Sequence, residues 1–194
     1  MPPKPKFTKD EVVATALQLV SARGIEGLTA RELGQALGSS ARPIFTVFRN
    51  MEELQVAVRE AAMKRFESYA DTPLPGLPRF KSIGMQMVRF GLQEPKLYQL
   101  LFMQENTESN GFEGIYGALG DEAEVSIRAI QKDYGLIEPQ ARRLFEAVWV
   151  YTFGIGALCA TRACAFTEAQ LGEMLTTQFS AVMLLIKSEK TDQG

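Results

Sequence analysis

The sequence predicts an all-α protein of about nine helices, an N-terminal helix-turn-helix head of three helices followed by a larger helical body. Three observations carry this. Apolar residues recur at three- and four-residue spacing through most of the chain, which gathers them on one side of a helix. Ser, Thr or Asn stands before several of these segments with Glu or Gln three residues on, the pattern in which side chains satisfy free N–H groups at a helix start. No stretch alternates apolar and polar residues between turn signals, as a half-buried strand would, and no internal repeat is found.

The elements follow in order. Thr8-Lys-Asp-Glu11 is a capping box, and Val13, Ala16, Leu17 and Val20 then lie on one face of a helix that stops at Gly24. Thr29-Ala-Arg-Glu32 is a second box, opening a helix with Leu33, Ala36 and Leu37 inward and Gly38 at its end. Ser40 is placed to cap a third, very short helix containing Ile44, Phe45 and Phe48, of which Ile44 and Phe48 are core. Pro43 is tolerated there because an N–H so early in a helix has no intrahelical acceptor to lose. Asn50-Met-Glu-Glu53 opens a long helix through about residue 69.

Residues 72–78, with three prolines and a glycine, are the clearest linker. Beyond it helices are expected over residues 80–93, 95–104, 112–134 and 138–165, with a polar loop at 105–111. Thr167-Glu-Ala-Gln170 caps a last helix ending near residue 187. The functional boundary falls near Arg49, giving a helix-turn-helix domain over 1–50 and a ligand-binding and dimerisation domain over 51–194, with the long helix joining them.

Composition narrows the function. The 194 residues are 46% hydrophobic and 23% charged, which is a soluble globular balance. There is no histidine, which removes Ser-His-Asp and Cys-His nucleophile systems, the usual neutral-pH general base and nearly all catalytic zinc sites. Glu52 and Glu53, and Asp121, Glu122 and Glu124, read as helix N-terminal charge and a solvated face rather than acid–base pairs. No enzymatic activity, metal or cofactor is therefore expected. Cys159 and Cys164 are the only cysteines, too few for a disulfide scaffold, and are expected as buried free thiols, with a redox switch as the alternative. No unbroken apolar run approaches the ~18 residues of a membrane span. No apolar segment follows the N-terminal charges, so a cytoplasmic location without a membrane partner is expected.

A net charge of −2 argues at first against a nucleic-acid partner, but its distribution argues for one. Residues 1–50 hold seven basic and four acidic side chains, net +3, and the remainder is net −5. A basic head on an acidic body suits a polyanion-binding domain attached to something else. Two short helices joined by a glycine-containing turn, the second capped and basic, meet the description of a helix-turn-helix, whose second helix enters the major groove.

From Thr8 to Leu54 the chain resembles the TetR family of transcriptional regulators. The stretch Ala22-Arg-Gly-Ile-Glu-Gly-Leu-Thr-Ala-Arg-Glu-Leu-Gly-Gln-Ala-Leu-Gly38 is similar to the family's first turn and second helix. Ser39-Ser-Ala-Arg-Pro-Ile-Phe-Thr-Val-Phe-Arg-Asn-Met-Glu-Glu-Leu54 is similar to its recognition helix and the start of its fourth. The resemblance implies a phosphate contact from Thr29 at the cap of the second helix, and a base contact from Arg31, whose guanidinium suits guanine. It implies a groove-facing recognition helix carrying Ser40, Ala41, Arg42, Pro43, Thr46 and Val47. Phe45 replaces the family's usual tyrosine and Met51 a common lysine, so a hydroxyl and a charge are lost; Arg42, Arg49 and the lysines Lys4, Lys6 and Lys9 compensate.

For the body the resemblance implies an effector site and a two-fold dimer through the last two helices. The residues support both independently. Residues 138–165 are apolar on more than one face (Leu144, Phe145, Val148, Trp149, Val150, Tyr151, Phe153, Ile155, Leu158), with Gly154, Gly156, Ala157 and Ala160 allowing close approach of another helix. Met174, Leu175, Phe179, Val182, Met183 and Ile186 give the final helix a matching stripe, and a homodimer burying both would read a palindromic double-stranded DNA operator. Met87, Phe90, Phe102, Met103, Phe112, Tyr116, Phe145, Trp149 and Phe153 are the candidates for an adaptable apolar pocket, taking an apolar or amphipathic small molecule. The function expected is a ligand-released repressor; the alternatives are an activator of the same fold and a helical interaction module without DNA binding.

Overall fold

The computed structural model describes residues 6–104 and 111–191. Among the described residues there are nine α-helices, two 3-10 turns and no strand. The helices are α1 (Lys9–Arg23), α2 (Ala30–Ala36), α3 (Met51–Ala70), α4 (Arg79–Gln93), α5 (Pro95–Phe102), α6 (Glu113–Leu119), α7 (Asp121–Tyr134), α8 (Glu138–Ala160) and α9 (Glu168–Thr191). The 3-10 turns are Ile25–Gly27 and Ile44–Thr46.

The count agrees with the expectation of about nine, but two of its members change. The expected third helix is only the 3-10 turn Ile44–Thr46, and the single helix expected over 112–134 is two. Gly120, with φ at +53°, ends α6 and precedes α7, a backbone direction that an L side chain resists. Most of the expected loop at 105–111 lies outside the described residues.

Contacts gather the chain into two units: Met1–Ser68 with Gln93–Gln104, and Tyr69–Leu92 with Glu105–Gly194. In the first, α1 begins at the expected box, Glu11 N–H donating to Thr8 Oγ1 at 3.2 Å while the Glu11 carboxylate accepts from Thr8 N at 2.8 Å. Its fully buried residues are Val12, Ala16 and Val20, with Val13 and Leu17 only half-buried. Two neighbouring apolar rows share the same period, so spacing alone cannot choose between them; the packing partners do. α3 starts at Asn50, whose Oδ1 accepts from Glu53 N at 2.9 Å. α5 packs against α1, and Ser21 of α1 donates 2.8 Å to the buried carboxylate of Glu94, which Arg65 of α3 also engages.

In the second unit the proline-rich segment is held to α4. Gln86 Nε2 donates to Thr72 O and Leu74 N to Ser82 Oγ, both at 2.9 Å. α8 packs on α7 and α9 around Ile127, Ile130, Leu144, Phe145, Phe179, Met183 and Ile186. Arg143 of α8 pairs with Glu189 of α9 at 2.6 Å, and Arg89 of α4 with Glu168 of α9 at 2.7 Å. By length and composition alone α8 could cross a membrane, contrary to the reading from unbroken runs, because charges and small residues interrupt its apolar content without removing it. It ends five residues earlier than expected. Arg162 adopts the left-handed conformation (φ +58°), Ala163 N returns to Leu158 O and Arg162 N to Cys159 O, each at 3.0 Å, closing the helix as a glycine usually does. Cys159 is buried as expected; Cys164, beyond that turn, is exposed.

Candidate nucleic-acid interface and effector cavity

The helix-turn-helix is held by a close backbone approach. A Cβ on Gly34 would lie 2.8 Å from Ser40 C and 2.9 Å from Ala41 N, so the connection after α2 folds directly over a bare α-carbon. Ser39 N donates to Gly34 O at 2.8 Å, sealing the same contact. Leu33 and Gly34 are the buried residues of α2, whereas Ala36, expected inward, is exposed.

Thr29 caps α2, its Oγ1 accepting from Glu32 N at 3.2 Å, but Glu32 completes no reciprocal bond: its carboxylate accepts from Arg23 at 2.8 Å. Ser40 is exposed and caps nothing; Pro43 precedes the 3-10 turn instead. Residues 41–48 are a chain of tight turns, Ile44 N to Ala41 O, Thr46 N to Pro43 O and Val47 N to Ile44 O, anchored by fully buried Ile44 and by Phe48. These are i→i+3 bonds, so the segment is a run of tight turns rather than a regular α-helix, closed by Phe48 N donating to Ile44 O at 3.0 Å.

The polar groups around that turn divide into committed and free ones. Thr46 Oγ1 donates to Pro43 O at 2.6 Å. Arg49 and Lys9 share the carboxylate of Glu53, at 3.2 and 3.1 Å, and the Arg49 backbone N–H, the strongest influence, helps hold that carboxyl at about 2, far below its ordinary value. Lys6 Nζ donates to Ser39 Oγ at 3.0 Å, so this lysine is docked on the turn rather than free in solution. Arg31 and Arg42 are exposed and engage no carboxylate among the described residues. Phe45 is 44% exposed, while Ala41, Pro43 and Val47 are half-buried. Lys4 lies outside the described residues.

Of the nine aromatic and methionine candidates for the effector pocket, Tyr116, Phe145 and Trp149 share one cluster of the second unit. Phe102 and Met103 belong to the first unit, where Phe102 packs edge-on to Phe66 at 5.1 Å and Met103 is exposed. Met87, Phe90 and Phe145 are buried core of the second. Trp149 stacks on Phe153, and Tyr116 on Phe145, the Tyr116 hydroxyl donating to Glu146 at 2.6 Å. Burial, with the nearby Glu146 carboxylate, pushes the Tyr116 phenol above its ordinary value. Phe112 is half-buried.

A cavity of about 70 Å³ opens instead between α4, α8 and α9, lined by Leu77, Phe80, Lys81, Gly84, Met85, Val148, Thr152, Gly172, Leu175, Thr176 and Phe179. None of the nine candidates lines it. Sequence reading favoured large side chains, but a cavity exists where side chains are missing, and Gly84 and Gly172, both inside helices that glycine disfavours, were the available signal.

The final helix also divides its apolar residues in two. The stripe expected to face a partner is taken up within the protomer: Phe179, Met183 and Ile186 are buried, and Met174, Leu175 and Val182 half-buried. Other apolar residues stay exposed: Leu184 and Leu185, at 71% and 51%, on α9, and Val150 and Leu158 on α8, where a Cβ on Gly154 would meet nothing within 4 Å.

This all-α architecture is the fold of TetR-family transcriptional regulators. A transcriptional regulator from Rhodococcus sp. Rha1 superposes with a TM-score of 0.68 over 91% of this chain and 96% of its own, at 15% identity. A candidate TetR-family regulator from Mesorhizobium loti superposes at 0.53 over 91% of this chain and 95% of its own, at 13% identity. No protein-family model matches the sequence, and no curated protein matches it.

Proposed function

We propose that the protein is a ligand-responsive DNA-binding transcriptional regulator, acting as a repressor that binds a palindromic operator as a homodimer and is released by a small apolar or amphipathic effector. The functional division is residues 1–50 for DNA and 51–194 for effector and dimer contacts. The observation that carries this is the contrast among the cations of the head. Arg23, Arg49 and Lys9 are held by Glu32 and Glu53, whereas Arg31 and Arg42 pair with no carboxylate among the described residues and flank a turn whose backbone is locked at Gly34. Free guanidinium groups on a fixed frame suit guanine edges and phosphates. Thr29, Ser40, Ala41, Pro43, Phe45, Thr46, Val47 and Arg49 complete the proposed contact surface.

Homodimerisation through the last two helices is supported by the exposed apolar side chains that both carry, Val150 and Leu158 on α8 and Leu184 and Leu185 on α9. A two-fold pair of heads matches two half-sites. An effector then acts by population shift: emptying a nearly full operator requires it to favour the released state by about 5 kcal/mol.

Selection of genomic fragments with the purified protein, followed by salt titration on the recovered duplex, tests the reading. A palindrome bound with a steep loss of affinity as salt rises is expected. Arg42→Ala and Arg31→Ala are each expected to cost about 1–3 kcal/mol on that duplex and to relax specificity locally. Equal weakening on all sequences would reassign them to phosphates. No enrichment, before or after a denaturation–refolding wash that strips a carried-over effector, overturns the regulator reading. A reporter behind the recovered site gives the sign, with repression expected.

A further inference from the structure

The cavity between α4, α8 and α9 combines an apolar interior with one cation whose charge is not matched. Phe80, Met85, Val148 and Leu175 supply most of its wall. A Cβ on Gly84 would stop 3.8 Å from Thr152 Oγ1, and one on Gly172 3.7 Å from Met85 Cε, so the two glycines leave open space in which a Cβ would make ordinary contact. Half-buried Lys81 is part of the lining, its Nζ 4.2 Å from the centre of the Phe179 ring. No carboxylate among the described residues pairs with it. Thr152 adds no competing donor, because its hydroxyl already donates to Val148 O at 2.7 Å.

We propose that this cavity takes a small amphipathic monocarboxylate, its hydrocarbon part between α4, α8 and α9 and its carboxylate on Lys81. An ammonium with one face on an aromatic ring still has N–H donors for an anion, and an apolar surround strengthens that pairing. A volume of about 70 Å³ admits a short chain inserted end-on, with the head left at the lysine. A dication meets only the like charge of Lys81 here. The assignment deepens the effector reading above and rests on it for its regulatory meaning, but binding itself needs no DNA.

The test is calorimetry on the full chain with butanoate and with 1-butanol, a neutral molecule of equal chain length. One butanoate per protomer is expected, with butanol at least tenfold weaker. Lys81→Gln is expected to weaken butanoate about ten- to hundredfold, the range for a hydrogen bond to a charged group, and to leave butanol unchanged. Gly172→Leu is expected to remove both ligands by filling the cavity. Equal binding of butanoate and butanol, or no saturable butanoate binding, overturns the assignment without recourse to any variant; so does full affinity in Lys81→Gln. A protein that enriches a duplex yet binds no butanoate refutes this inference and leaves the regulator reading standing. Butanoate binding by a protein that enriches no duplex does the reverse.

Discussion

The turn after α2 and the outer face of α8 and α9 solve opposite problems. Residues 29–50 are short, turn-rich and polar, and are held by a few specific devices: the Thr29 cap, the Gly34 contact and the buried anchors Ile44 and Phe48. What they leave outside is charge. α8 and α9 are long, regular and held by a broad apolar core, and what they leave outside is Leu184, Leu185, Val150 and Leu158. The contrast teaches where each region's weak point lies. The head fails when one backbone approach is blocked, whereas polarity on the body's exposed apolar residues is expected to act on association rather than on the fold of the protomer.

That contrast is most easily broken at Gly34. Gly34→Val sets a side chain against the Ser40 and Ala41 backbone, which cannot yield as a flexible side chain would, and is expected to lower stability by about 3 kcal/mol. Urea unfolding followed by circular dichroism measures it; a midpoint equal to that of the native sequence would show that the close approach carries no energy. Next comes Leu184→Glu, in a side chain 71% exposed. Protomer stability should hold, while dissociation of the proposed homodimer, read by sedimentation, rises roughly thirtyfold, corresponding to about 2 kcal/mol for a side chain in its interface. An unchanged association constant would move the dimer contact elsewhere.

A smaller effect sharpens the comparison at the end of α8. Arg162 occupies the left-handed region that L side chains resist, so Arg162→Gly is expected to stabilise the second unit by about 0.5–1 kcal/mol, relief of strain being partly offset by chain entropy. A loss of stability would mean the arginine makes contacts that outweigh its strain. The smallest effect concerns pH in the head. Glu53 is held at about 2 against an ordinary 4.5, so its contribution is complete above about pH 4.5 and is lost as pH falls through 2. Glu53→Gln should therefore lower the melting temperature near neutrality and converge on the native sequence toward pH 2; parallel melting curves across that range would refute the linkage.

The legible parts were those fixed by neighbours along the chain. Thr8 with Glu11, Asn50 with Glu53 and Thr167 with Gln170 all bond as their spacing dictates, because a cap and its N–H are never more than one turn apart. The exposed Arg31 and Arg42 were legible too, as polar residues in a segment whose apolar anchors were evident. The third helix was misread because Ser40 and Pro43 satisfy the local rules for a helix start, while the Gly34 contact that turns the backbone there joins residues six and seven apart. The break at Gly120 was hidden because glycine inside a periodic segment is compatible with either a continuous helix or a stop.

The sequence by itself determined that the chain is all-α, where most helices begin, and that its head is basic, since caps, periodicity and charge are local properties. Tertiary structure alone decided which of two apolar rows on α1 and on α9 turns inward, where Arg162 closes α8, and that a cavity opens beside Lys81, Gly84 and Gly172. The physical reason is the same in each case: periodicity places side chains on faces, but only the shape of the opposing surface determines which face is covered and where a gap remains.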